Sequence, residues 1–131
     1  MDRAAPMSRL EEFRRFRERM NEKILEADNL EIRRFFRLDG QVYEDGALPT
    51  KTKELMGLVA SLVLRCDDCV AYHVIRCKEE GVTDEELFES FSVGLVVGGS
   101  IVIPHLRHAV ETLDLLRQER GEGEEPGASA R

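Results

Sequence analysis

Apolar residues recur along this chain at three- and four-residue steps, the spacing of one helical face. Nowhere do they alternate over a stretch long enough to build a sheet. Leu10, Phe13, Phe16, Met20 and Ile24 draw the first stripe, and Ser8 with Glu11 at its head has the form of a capping box. Asp28-Asn29 interrupts the pattern. A second helical segment is predicted from Leu30 to Leu38, ended by Asp39-Gly40. The two Asp-Gly pairs and the proline of residues 39–49 then predict turns. Helix resumes near Thr50, where Leu55, Leu58, Val59, Leu62 and Val63 share one face. The run beginning at Cys66 is helix-like and closes on Gly81, a residue suited to a left-handed cap. Thr83 with Glu86 opens another helix through Leu87, Phe88, Phe91 and Leu95, and Pro104 marks a kink or a fresh start before Leu106, Val110, Leu113 and Leu116.

These elements predict an all-α fold. A single helical domain is expected over residues 8–118, between a disordered N-terminus at 1–7 and a disordered acidic tail at 119–131. The tail is rich in Gly, Glu, Pro and Ala and has no apolar face. Gly94, Gly98, Gly99 and Ser100 form a small-residue surface that predicts close helix packing. The spacing does not fit a dinucleotide fingerprint. The stripe from Leu10 to Met20 is expected to be core, with subunit contact as its second use.

Composition narrows the function classes. The 131 residues carry a net charge of −7, so a nucleic-acid surface is not expected. Residues 8–38 hold nine basic against seven acidic groups, but there Arg and Glu alternate as on a solvated helix face. The longest apolar run, Phe91 to Ile103, contains three glycines and falls short of the roughly eighteen residues a membrane span needs. The first residues lack the apolar core of a secretory signal, and three cysteines are an odd count for a secreted disulfide framework. The expected address is the cytoplasm.

The cysteines carry the chemistry. Cys66 and Cys69 flank Asp67-Asp68, and His73 follows four residues after Cys69. If a helix begins near Cys66, the two sulfurs lie about one turn apart, and the free amides of the first turn favour a thiolate. Asp67 and Asp68 oppose it by like-charge repulsion. Cys69 and His73, at i and i+4, share a face, so the imidazole is placed to exchange a proton with a thiol. Three readings stay open at this point: a redox pair, a metal site, and thiols that only pack. A four-ligand set of Cys66, Cys69, His73 and Cys77 does not suit one helix, because Cys69 and Cys77 would stand about 12 Å apart along its axis. Glu54, on the helix leading into the motif, reads by spacing as a first-turn residue complementing the helix dipole. Cys77 reads as a small buried residue and Tyr72 as a packing one. His105 and His108 read as surface or interface residues, with His105 able to approach the site across a packed helix pair.

Glu54, eleven intervening residues, Cys66-x-x-Cys69, three residues and His73 together resemble the AhpD-like branch of the carboxymuconolactone decarboxylase family. The Gly-Val-Thr-Asp-Glu-Glu turn from Gly81 and the Gly98-Gly99 pair are similar to that family's pattern as well. The resemblance covers residues 45–115. It implies an all-helical fold, a homo-oligomer (trimer, or hexamer built from trimers) and thiol peroxidase or disulfide-reductase chemistry without a cofactor or a metal. By position, Cys69 would attack a hydroperoxide and Cys66 would resolve the product. Glu54 and His73 would relay protons, and an external dithiol protein would reset the pair. Where those peroxidases carry a histidine before the second cysteine, this chain has Asp68. The family's decarboxylases lack the cysteine pair. Two other functions remain compatible with such a fold: a non-catalytic oligomeric binding or structural protein, and a decarboxylase-like enzyme on another substrate.

Overall fold

A computed structural model describes residues 6–121. The described residues form six α-helices: α1 (Arg9–Glu26), α2 (Leu30–Val42), α3 (Thr50–Leu64), α4 (Asp67–Glu79), α5 (Asp84–Gly98) and α6 (Ile103–Glu119). A 3-10 turn, Ser100–Val102, joins the last two, and no strand occurs among the described residues. The all-α reading is correct. No helix there is long and apolar enough to cross a membrane. Of the terminal segments expected to be disordered, residues 1–5 and 122–131 lie outside the described residues, and α6 itself runs to Glu119.

The chain divides into two compact units, Met1–Glu44 and Asp45–Arg131. In the first, the Ser8 hydroxyl accepts from the Glu11 N–H at 3.1 Å and starts α1. Asp28 turns the chain in the left-handed region (φ 56°), and the Asn29 side chain accepts from the Ile32 N–H at 3.0 Å to start α2. The break at Asp28-Asn29 is therefore where the pattern placed it. The end of α2 is not: the helix continues through Asp39-Gly40 to Val42. A glycine within a helix costs only about 1 kcal/mol relative to alanine, too little to stop a helix that still has backbone partners on both sides. The α1 stripe also departs from expectation. Leu10 is buried and Phe13 and Met20 half-buried, but Phe16 is 56% exposed, so the stripe is not all interior. Phe35 on α2 is 66% exposed.

The second unit holds the main core. α3 packs on α4 and α5, and α4 packs on α6. Leu58, Leu62, Val70, Val74, Leu87, Phe91 and Leu113 are fully buried or nearly so. Gly94 permits the close approach of α5 to α3, since a Cβ there would meet Leu62 Cδ1 at 3.3 Å. A Cβ at Gly98 would collide with the Val102 side chain. The start of α3 has no cap from Pro49; instead Asp45 reaches forward to accept from the Thr50 N–H at 2.7 Å. That hydrogen bond holds the Asp45 carboxyl below its ordinary range. α5 opens on a full capping box, Thr83 accepting from the Glu86 N–H at 3.1 Å while Glu86 accepts from the Thr83 N–H at 2.9 Å. One ion-pair cluster ties three helices together. Asp84 of α5 takes Lys78 of α4 at 2.8 Å and Arg117 of α6, whose Nε donates at 3.0 Å. Burial pushes the Asp84 carboxyl up, but the two cations outweigh it and the net displacement is downward.

Candidate functional site

The junction between α3 and α4 is built to present cysteine. Arg65 ends α3 in the left-handed region (φ 61°, ψ 42°), and the Cys66 N–H returns to the Ser61 carbonyl at 3.1 Å. This reversal makes Cys66 the N-cap of α4. Its sulfur occupies the place usually taken by a serine or aspartate oxygen and accepts from the Cys69 N–H at 3.2 Å. A sulfur so placed faces free amides at the positive end of the helix dipole, an arrangement that stabilises thiolate over thiol. Cys66 and Cys69 are joined as a disulfide across a Cα–Cα distance of 5.2 Å. Cys66 is half-buried and Cys69 exposed, so an external reagent meets Cys69 first.

One turn further along α4, His73 is buried. Its Nδ1 lies 2.8 Å from Oε1 of Glu54, which is 1% exposed in the second turn of α3. A carboxylate out of water is costly unless its oxygens are partnered. Both are: Oε1 by His73, and Oε2 by Arg76 Nε at 3.5 Å. With Nδ1–H donated to Glu54, Nε2 becomes the proton-accepting nitrogen of the neutral ring. The Tyr72 ring packs edge-on against the imidazole, centroids 5.2 Å apart. Glu54 is thus more than a first-turn charge complement. It is a buried partner of the histidine that shares a helix face with Cys69.

Arg76 is the residue that reading the sequence missed. Its guanidinium is kept protonated beyond the ordinary arginine range, first by the hydrogen bond to Glu79, against burial, and then by Glu54 and Glu80. The signal was available, because His73 and Arg76 are three apart and so share a helix face. Cys77 lies apart in character. It is fully buried and free, and its thiol is pushed up to about 12, chiefly by burial and secondarily by the charge of Glu54. Among the described residues no group of three or more His, Cys, Asp and Glu could hold a metal ion, so Cys66, Cys69, His73 and Cys77 do not gather as ligands.

The model of the carboxymuconolactone decarboxylase family matches residues 32–112, a span holding Glu54, both paired cysteines and His73. The chain belongs to this family. Among curated proteins, it is 31% identical over 80 residues to uncharacterized protein 4 in the cox locus of Paracoccus denitrificans, covering 61% of this chain and 72% of that one. The crystal structure of TM1620 from Thermotoga maritima superposes with a TM-score of 0.82 at 57% identity, over 86% of this chain and 98% of that one. A second structure of TM1620 describes it as a carboxymuconolactone decarboxylase family protein with a possible part in antioxidative response. The family protein apo-lpg0406 of Legionella pneumophila is 22% identical with a TM-score of 0.76, covering 82% of this chain and 96% of that one. That likeness is one of fold.

Proposed function

We propose that this family member is a thiol-dependent peroxidase and disulfide oxidoreductase that reduces organic hydroperoxides through Cys66 and Cys69, with Glu54 and His73 as the proton relay. The observation that carries this reading is the pairing of an N-capped cysteine couple with a buried Glu54–His73 hydrogen bond on the same helix. In the proposed cycle His73 takes the Cys69 proton. The thiolate attacks the distal oxygen of ROOH, the O–O bond breaks, and the alkoxide leaves as ROH on receiving that proton. Cys69 is now a sulfenic acid. The Cys66 thiolate attacks its sulfur, forming the disulfide and expelling hydroxide, which leaves as water after taking a proton. An external dithiol protein then attacks the exposed Cys69 sulfur. Cys66 departs as the thiolate that its N-cap position stabilises, and the partner's second thiol completes the exchange, so the partner is oxidised as the pair is reduced.

The working protein in this reading is a cytoplasmic homo-oligomer, a trimer or a hexamer. Support comes from the apolar residues the chain leaves in water, among them Val93, Val96 and Val97 of α5 and Ile101 of the following turn. The description of TM1620 also supports an antioxidative role. The test is hydroperoxide consumption by the reduced protein with excess small-molecule dithiol. Turnover that disappears in Cys69→Ser is the expected result. Equal consumption by wild type and Cys69→Ser refutes the proposal.

A further inference from the structure

Asp67, the first residue of α4, stands directly beside Cys66. A carboxylate there has two natural options: to remain in water, or to fold onto the free amides of its own first turn. It does neither. Its Oδ1 receives Nδ1 of His105 at 2.7 Å, and Nε2 of His108 lies 3.7 Å from Oδ2. Both histidines come from α6, the helix that packs along α4. His105 is only 21% exposed in its side chain and Asp67 37%, so the contact is part-sheltered, and no other part of the proposed cycle uses it.

We infer that His105 is a positioning residue for the redox pair: it holds the Asp67 carboxylate onto α6, leaving the Cys69 N–H to the Cys66 sulfur and drawing negative charge away from the thiolate. The inference rests on the redox reading of Cys66 and Cys69 and deepens it. Two effects act in the same direction. A carboxylate held by an imidazole N–H does not compete with sulfur for first-turn amides, and its charge is partly satisfied away from the sulfur. Both favour the Cys66 thiolate, and hence the dithiol over the disulfide. His108, one helical turn along α6, adds a second imidazole near the other carboxylate oxygen. Asp68, exposed on the same turn, has no such partner from α6 among the described contacts. The two aspartates of the motif therefore bear unequally on the thiol.

The test is the equilibrium of the full-length protein with glutathione, in which protein disulfide and two glutathione thiols exchange with protein dithiol and glutathione disulfide. His105→Ala should move the equilibrium toward the protein disulfide by about three- to tenfold, the latter being about 30 mV. Asp67→Asn, which removes the charge, should move it the opposite way by a similar factor. On the Asp67→Asn background, His105→Ala should have no further effect. His105→Asn, which keeps an N–H donor near the place of Nδ1, should return the constant to within about twofold of wild type. A contact that is only structural predicts lowered melting temperatures with no opposed shifts in this equilibrium. Unchanged constants in both single variants overturn the inference while leaving the redox reading intact, as does a His105→Ala shift that persists without the Asp67 charge. A wild-type pair that never exchanges with glutathione overturns both.

Discussion

The two ends of α4 carry cysteines of opposite character, although one helix builds both. At the first turn, Cys66 is an N-cap whose sulfur takes a backbone N–H, and Cys69 stands exposed beside it. Two turns beyond Cys69, Cys77 is fully buried, with its thiol pushed up to about 12. The dipole that favours a thiolate at the start offers nothing at Cys77, and burial penalises the anion there outright. The contrast between the sulfurs is thus set by the position of each on the helix and its access to water. Between the two ends lie His73 and Arg76, which hold opposite oxygens of the buried Glu54.

Several substitutions sharpen or break this contrast. The largest effect is expected at the exposed end, where Cys69→Ser should reduce hydroperoxide turnover by about a hundredfold or more while leaving helicity intact, measured by peroxide consumption and circular dichroism. Next, Glu54→Gln keeps the volume but removes the carboxylate from His73 and Arg76. Turnover should fall about a hundredfold, within the range for loss of general acid–base assistance. Peroxide kinetics of the folded variant check this, and a variant as active as wild type removes Glu54 from the relay.

A smaller effect belongs to the C-terminal half of α4. Asp84→Asn, which removes the carboxylate charge that Lys78 and Arg117 share, should cost about 1–2 kcal/mol by denaturant unfolding, discounted because the cluster is partly open to solvent. The folded Asp84 carboxyl titrates below its unfolded value near 3.8. Its contribution is therefore present above that value and lost as pH falls through the lower folded one, and the variant should show a shallower acid limb of stability. Least of all, Cys77→Ser should change turnover by less than about twofold, because a buried neutral thiol takes no part. Native Cys77 should resist alkylation at neutral pH. Its raised value stabilises the fold below the ordinary thiol range near 9, and that share is lost as pH rises toward about 12.

Local chemistry made much of this legible in the sequence. Ser8, Asn29 and Thr83 cap helices within three residues of themselves, so the starts of α1, α2 and α5 can be placed from short patterns. The same holds for the spacing of Cys66, Cys69 and His73. Features decided by packing were harder to read. Asp39-Gly40 looked like a helix end because turn chemistry is a propensity, and the continued backbone of α2 outweighed it. Phe16 fitted an apolar stripe, but periodicity says which residues share a face and not what covers it. The Asp45 cap on Thr50 spans a proline loop that no short motif encodes. Arg76 reaches Glu54 across the α3–α4 contact, and Asp67 meets His105 across α4–α6. Such partners appear only once the helices are packed. The approach of His105 to the motif was readable from its place near the start of the last helix; its partner was not.

The most direct test of the two-ended account is to map all three cysteines after a single oxidation. Fully reduced protein is treated with one equivalent of an organic hydroperoxide, alkylated, and analysed by peptide mass spectrometry. The account predicts a Cys66–Cys69 disulfide with Cys77 recovered as the free thiol. Peroxide consumed with the pair still reduced, or with Cys77 oxidised in its place, would contradict it.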